Sequence, residues 1–212
     1  MKTMGVGDSY DNWAAQYDTN LNRTRDLEAL AFREILGNIH FDHCLEMGCG
    51  TGKNTVWLES KASKVVAVDL SAEMLKKAKE KICSDRVIFH QADLSGNWDF
   101  LHQQFDLITF SLVLEHIEEL EPVFRKSALA TNPDGYLYVG ELHPFKQYNG
   151  TKARFETSDG IHVVDCFNHH LSDFTEAGKK SGFEIVRIKE YFDDDEMKNI
   201  PRILTILFQK RP

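Results

Sequence analysis

Three acidic residues end short apolar runs of this sequence and could accept hydrogen bonds from a ligand. They are Glu46, Asp69 and Asp93. Three glycines follow Glu46 at alternate positions, namely Gly48, Gly50 and Gly52. Glycines let the backbone turn sharply, and the N–H groups at the start of the next helix point toward a ligand. Because an ionised carboxylate only accepts hydrogen bonds, the pattern predicts a site for a nucleotide-type ligand with hydroxyl and amino groups.

The spacing of the glycines separates the ligands that use such a loop. A dinucleotide fingerprint counted from Gly48 needs a glycine at position 53, where Lys53 stands. A P-loop ending at Gly52 would need a glycine in place of Met47 and a serine or threonine in place of Asn54. An acid beside a helix N-terminus repels phosphate. The loop therefore favours a ligand that carries an ammonium group.

The stretch Glu46-Met47-Gly48-Cys49-Gly50-Thr51-Gly52 resembles the first motif of class I S-adenosylmethionine-dependent methyltransferases, and the chain is similar to the ubiquinone/menaquinone-biosynthesis group. The resemblance implies that the loop holds the methionine part of the cofactor. It implies that Asp69 binds the ribose hydroxyls and that Asp93, with Leu94, contacts the adenine. The expected cofactor-binding residues are Glu46, Gly48, Gly50, Gly52, Asp69, Leu70, Met74, Asp93, Leu94, Ser111 and Tyr17.

The elements that must position these residues alternate along the chain. Five strand-like runs, ending at Met47, Asp69, Asp93, Ser111 and Leu142, are separated by helical patterns. Two alternating runs follow near the C-terminus, at 183–192 and 202–210. The order predicts an α/β fold: a Rossmann-like, seven-stranded, mostly parallel sheet with a C-terminal antiparallel hairpin and helices on both faces. We expect one domain over 1–212, with an N-terminal helical cap at 1–40 and a substrate-facing insertion at 143–170.

Histidines supply the candidate catalytic groups. His143, His169 and His170 lie in or next to the insertion and could accept a proton or orient a substrate. His116 is a second candidate base, although a histidine at such a point is more often a packed, hydrogen-bonded residue. Arg154 could meet a substrate carboxylate or lie exposed in its loop. No metal is expected, because adjacent histidines in an extended segment point to opposite sides and no H-x-x-x-H spacing occurs.

Bulk properties limit the partners. The 212 residues carry a net charge of −8, which argues against a nucleic-acid-binding surface. No apolar run reaches membrane-spanning length, and the four cysteines show no C-x-x-C spacing. We therefore expect a cytoplasmic protein with a small-molecule substrate, no nucleic acid and no membrane. The oligomeric state, monomer or homodimer, stays open.

The resemblance implies transfer of a methyl group from S-adenosylmethionine to a small-molecule acceptor, through an N or O nucleophile, with S-adenosylhomocysteine as the product. Two alternatives remain at this point. One is a non-catalytic S-adenosylmethionine-binding subunit. The other is an NAD-dependent oxidoreductase, which would share Asp69 but lacks its glycine fingerprint at Lys53.

Overall fold

A computed structural model describes residues 5–157, 160–193 and 199–211 as a sheet flanked by helices. The strands are β1 His43–Met47, β2 Lys64–Asp69, β3 Val87–Gln91, β4 Phe105–Ser111, β5 Thr131–Leu142, β6 Arg154–Thr157, β7 Gly160–Val163, β8 Phe183–Phe192 and β9 Pro201–Lys210. The helices are α1 Val6–Trp13, α2 Arg23–Leu36, α3 Thr55–Lys61, α4 Ala72–Lys81, α5 Leu120–Ala130, α6 Pro144–Tyr148 and α7 Leu171–Lys180, with a 3₁₀ turn at Leu114–His116.

Seven strands form one sheet in the order β3-β2-β1-β4-β5-β9-β8. Neighbouring strands from β3 to β5 pair in parallel, whereas β9 is antiparallel to both β5 and β8. The predicted Rossmann-like sheet and its C-terminal antiparallel hairpin are therefore confirmed. Parallel pairing brings the carboxyl ends of β1, β2 and β4 to one edge, which is where ligands bind in such sheets.

The sheet is covered on both faces, as predicted. Alternate residues of a strand point to opposite sides, and each side has its own apolar cluster. Leu45 and Met47 of β1 pack with the cluster that contains α5 and α7, whereas Cys44 packs with the cluster that contains α2, α3 and α4. Because both faces of the sheet are covered, β1 and β2 are almost continuously buried and do not alternate between buried and exposed residues.

Two segments add detail that the sequence pattern does not show. The stretch Asn-Pro-Asp-Gly at 132–135, whose composition favours a turn, lies inside β5, where the register with β4 shifts and Asp134 takes a φ of 61°. The turn residues therefore form an irregularity within the strand. The insertion at 143–170 has structure of its own, because it contains α6 and the small antiparallel sheet of β6 and β7. Of the acidic run at 193–196, only Asp193 belongs to the described residues.

The described part of the chain contains no helix that is both long enough and apolar enough to cross a bilayer. All four cysteines are free thiols. Cys44 and Cys49 are buried, and burial raises the pKa of each thiol well above its ordinary value. These two side chains therefore act as small apolar groups of the core.

Candidate active site

A cavity of about 320 Å³ opens where β1, β2 and β4 end; we call it the first cavity. Most of the residues predicted to bind the cofactor line it: Tyr17, Gly48, Gly50, Asp69, Leu70, Asp93, Leu94 and Ser111. The sheet brings these residues together from distant parts of the sequence, because they lie at or after the ends of four strands, β1 to β4, and of α1.

Asp69 joins the glycine loop to the start of α4. One of its carboxylate oxygens accepts a hydrogen bond from the Gly50 amide at 2.7 Å, and the other accepts one from the Ser71 amide at 2.9 Å. Burial raises the pKa of Asp69, while these two backbone bonds lower it. Since each carboxylate oxygen has two acceptor sites, Asp69 can hold the loop and still accept bonds from two ligand hydroxyls.

Gly50 and Gly52 are each required to be glycine for a different structural reason. Gly50 has a φ of +53°, and a Cβ added there would meet no atom within 4 Å, so its bare backbone borders open space in the first cavity. A Cβ on Gly52 would lie 2.9 Å from Ile82 Cδ1 and 3.3 Å from Ala78 Cβ. Gly52 therefore permits the loop to pack against α4, and Gly50 leaves room for a ligand to approach the backbone.

Three predicted cofactor residues do not line the first cavity: Glu46, Gly52 and Met74. Glu46 is buried and accepts a 2.5 Å hydrogen bond from Thr55 Oγ1. Burial raises the pKa of its carboxyl to about 8. Met74 packs in a small cluster with Trp13. A contact between Glu46 and a ligand amino group stays a prediction, as does a ligand contact for Met74.

A tyrosine–histidine pair closes one wall of the first cavity. His116 Nδ1 lies 2.8 Å from the Asp165 carbonyl oxygen, and His116 Nε2 lies 2.8 Å from the Tyr10 hydroxyl. A carbonyl oxygen only accepts, so Nδ1 carries the proton and Nε2 accepts from Tyr10. Desolvation raises the pKa of Tyr10 well above its ordinary value of 10.0. The phenol therefore remains neutral and keeps its proton at physiological pH.

Comparisons with known proteins agree with a cofactor site in this cavity. A family model described as a methyltransferase domain matches residues 45–139. The uncharacterized methyltransferase AN0656 of Emericella nidulans is 24% identical over 84% of this chain and 76% of its own length. The malonyl-[acyl-carrier protein] O-methyltransferase of Priestia megaterium is 29% identical over 60% of this chain and 47% of its own length, so the chain spans about half of that relative. A solved DhpI–SAM–HEP complex is 26% identical, with 100% of both chains covered and a TM-score of 0.74.

Residues 45–139 form a methyltransferase domain, and the similar proteins indicate S-adenosylmethionine-dependent methyl transfer of the class I type. The predicted family, enzyme class and cofactor are therefore confirmed. The residues fit that cofactor, since the first cavity combines an open glycine backbone with the acceptor carboxylates Asp69 and Asp93. The finer likeness to the ubiquinone/menaquinone-biosynthesis group stays a prediction.

The methyltransferase has a second cavity, of about 350 Å³, that shares part of its lining with the first cavity. Three residues line both cavities: Tyr10, Tyr17 and Leu112. The rest of its lining comes from two segments, 21–25 before and at the start of α2 and 151–154 of the insertion, together with Trp13, Glu115, Leu142 and Arg202. A molecule in the second cavity would therefore contact residues that also line the first cavity.

The three histidines predicted to be catalytic line neither cavity. His143 caps α6 by accepting from the Phe145 amide at 3.1 Å, and its Nε2 lies 2.8 Å from Glu190. His169 is buried and donates from Nε2 to the Ile117 carbonyl at 2.8 Å. His170 lies at the start of α7, with Nδ1 2.7 Å from the Tyr148 hydroxyl. Each has a structural contact, and a catalytic role for them stays a prediction without geometric support.

Tyr10 was not among the residues predicted for the site, and His116 was named only as a second candidate base. Their signals were present, because Tyr10 opens an aromatic segment and His116 follows β4. Glu115, His116 and Cys166 have potential ligand atoms within 4.8 Å of one another, an arrangement that could suggest a metal. Both ring nitrogens of His116 are already hydrogen-bonded, and burial raises the pKa of Cys166 to about 12. Because a metal needs an unprotonated thiolate and a free nitrogen, this cluster is poorly suited to one.

Glu141 holds the backbone that follows β4, and its burial predicts a pH-dependent stability. Its Oε1 accepts from the amides of Val113 and Leu114, at 3.0 and 2.8 Å. Burial, followed by the charge of Glu115, raises the pKa of Glu141 from 4.5 to about 8. The folded state therefore holds this proton more tightly than the unfolded state. Its stabilising contribution is complete below about pH 4.5 and is lost as the pH rises through about 8.

We expect Glu141→Gln to flatten the dependence of stability on pH. The wild-type free energy of unfolding should fall by up to about 1.4 kcal/mol per pH unit from this group across that window. Glutamine retains the oxygen that accepts from the two amides but cannot ionise. Urea unfolding at pH 6, 7, 8 and 9 measures the difference. Parallel curves for wild type and variant would contradict the expectation.

Proposed function

We propose that this methyltransferase transfers the methyl group to an oxygen or nitrogen atom of a small molecule bound in the second cavity. The observation that carries the proposal is the shared wall, in which Tyr10, Tyr17 and Leu112 face both cavities. The name of the Priestia megaterium relative, an O-methyltransferase, supports an oxygen nucleophile. The second cavity, at about 350 Å³, has the size of a small-molecule site.

S-adenosylmethionine, when bound, supplies a methyl group that the positive sulfonium already activates. The residues of the chain then have three tasks: to align the nucleophile, to exclude water and to remove a proton. We assign the proton transfer to Tyr10 and His116. The O–H or N–H proton of the acceptor moves to the Tyr10 oxygen as the Tyr10 proton moves to His116 Nε2. The histidine becomes an imidazolium, whose Nδ1–H still donates a hydrogen bond to the Asp165 carbonyl oxygen.

The N-terminal segment and the insertion both contribute to the second cavity in this proposal. Residues 1–40 supply Tyr10, Tyr17 and the start of α2 to the second cavity, and the insertion at 143–170 supplies residues 151–154. We infer that these segments form the acceptor side of a single 212-residue domain. We also infer a cytoplasmic location, which the four free thiols support because disulfides are rare in reducing compartments.

Thermal shift tests the cofactor, and product analysis tests the reaction. We expect S-adenosylmethionine and S-adenosylhomocysteine to raise the melting temperature and NADH to leave it unchanged, because only ligands of the native state stabilise it. A panel of amines, phenols, thiols and carboxylates is then incubated with methyl-labelled cofactor and analysed by mass spectrometry. A shift with NADH alone would support the oxidoreductase alternative. Binding of the adenosyl compounds without a methylated product from the panel or a metabolite extract would support a non-catalytic binding subunit.

A further inference from the structure

The second cavity is basic in a protein that is acidic overall. Five of its lining residues carry positive side chains: Arg23, Arg25, Lys152, Arg154 and Arg202. Glu115 is the one acidic residue of that described lining. The whole chain carries a net charge of −8. A local excess of cations inside a concave site focuses a positive potential there, so the cavity differs in sign from the surface around it.

Not every cation in the lining has its charge available. Arg202 donates to both carboxylate oxygens of the nearly buried Asp193, at 2.6 and 2.7 Å, so this pair is internally neutral. Arg25 donates to the backbone carbonyls of Tyr17 and Asn20 and lies 4.4 Å over the Tyr17 ring. Carbonyls and rings do not neutralise a guanidinium, so Arg25 keeps its net charge in the cavity.

Lys152 and Arg154 are the exposed cations of the lining. Both side chains are accessible to solvent, and neither takes part in an ion pair with another described residue. They stand two positions apart, around Ala153. Ala153 accepts a hydrogen bond from the Val164 amide at 3.0 Å, which fixes the backbone between them. The two cations therefore reach the cavity from the same short segment of its lining.

Glu115 carries at most one negative charge against three cations of the lining, Arg25, Lys152 and Arg154. Its side chain is 6% exposed, and its Oε2 atom has no hydrogen-bond partner among the described residues. Burial raises the pKa of the Glu115 carboxyl, which favours the neutral acid.

We propose that the methyl acceptor carries an oxyanion, a carboxylate or a phosphate, that is bound by Lys152 and Arg154 in the second cavity. The inference rests on the proposed function, because it assigns the acceptor to this cavity. Tyr10 also lines the first cavity, whereas Lys152 and Arg154 line only the second. The acceptor therefore has its nucleophilic atom at one end and its anionic group at the other. The planar guanidinium of Arg154 can bind two oxygens of either anion at once.

Binding of three aromatic probes tests the charge requirement. Protein loaded with S-adenosylhomocysteine is titrated calorimetrically with benzoate, phenyl phosphate and the uncharged benzamide. We expect at least one anion to bind roughly tenfold more tightly than benzamide, and added salt to weaken only the anions. Tighter binding of benzoate identifies a carboxylate acceptor, and tighter binding of phenyl phosphate identifies a phosphate.

A double variant locates the binding site. Lys152→Gln with Arg154→Gln should raise the Kd of the preferred anion roughly tenfold or more and leave that of benzamide unchanged. Lys179→Gln is the matched control, since Lys179 is an exposed lysine of α7 outside both cavities. The same Kd for S-adenosylhomocysteine in all three proteins shows that they are folded.

The outcomes separate this inference from the proposed function. The anion site is wrong if benzamide binds as tightly as both anions, if neither anion binds at millimolar concentration, or if the double variant behaves like Lys179→Gln. If acceptors that carry a carboxylate or phosphate are methylated with no lower KM than uncharged alcohols or amines, and the double variant does not change that KM, the inference fails and the proposed function stands. If no small molecule accepts the methyl group, the proposed function itself fails.

Discussion

Replacing Gly50 with alanine is expected to weaken binding of S-adenosylhomocysteine roughly hundredfold, which corresponds to about 2.7 kcal/mol. The Gly50 backbone lines the first cavity, and its amide is bonded to Asp69. A methyl group there would meet no protein atom within 4 Å and would occupy space that the cofactor needs. The positive φ of +53° also lowers the free energy of unfolding of the alanine variant by about 1–2 kcal/mol, because L-residues disfavour this conformation.

Gly182→Ala separates the loss of stability from the loss of binding. Gly182 also has a positive φ, of +89°, and a Cβ added there also meets no atom within 4 Å. It lies in the exposed turn between α7 and β8, outside both cavities. Both variants should lose a similar free energy of unfolding, but only Gly50→Ala should lose affinity in calorimetric titration. Equal affinities in the two variants would show that the cofactor does not approach the Gly50 backbone.

The cofactor side of the site could be predicted because its pattern is local. Each part of the pattern lies within a few residues: an acid with alternate glycines after the first strand, and one acid at the end of each of the next two strands. A parallel sheet then brings the ends of these strands together. Asp69 and Asp93 line the first cavity for this reason. Glu46 shows the limit of the pattern. A side chain near the end of a strand can point to either face of the sheet, and the side chain of Glu46 points to Thr55 inside the protein.

The acceptor side could not be predicted in the same way, because its contacts are long-range. Tyr10 and His116 are separated by 106 positions, and no spacing rule relates them. The choice of His143, His169 and His170 relied on their place in a long segment between strands. That segment folds into α6, β6 and β7, and its histidines are used to cap helices and hold turns. Residue type alone does not reveal that His116, and none of these three histidines, lines the first cavity.

Tyr10→Phe is expected to lower kcat roughly hundredfold, in line with the size of general acid–base effects. The substitution keeps the ring that lines both cavities and removes the hydroxyl that donates to His116. The proton of an O–H or N–H acceptor then has no path to the imidazole. Because the walls of both cavities are retained, the KM of the acceptor and the Kd of S-adenosylhomocysteine should stay within a few-fold of wild type.

The chain contains a matched control for this variant. Tyr148 also hydrogen-bonds a histidine through its hydroxyl, with 2.7 Å to His170 Nδ1, but this pair is exposed and lines neither cavity. Tyr148→Phe should leave kcat within about twofold of wild type, since surface substitutions of this kind have small effects. A loss in Tyr148→Phe that equals the loss in Tyr10→Phe would instead favour the sequence-based role of His170.

His116→Gln and the double variant show whether the tyrosine and histidine act together. If one proton passes through both groups, either single substitution interrupts the whole transfer, and the second adds little. We therefore expect kcat in the Tyr10→Phe/His116→Gln protein to match the weaker single variant within about threefold, because groups that act as a unit are not additive. Multiplicative losses would mean that the two side chains contribute separately. An unchanged kcat in all three would mean that the acceptor reaches the site already deprotonated, as a carboxylate would.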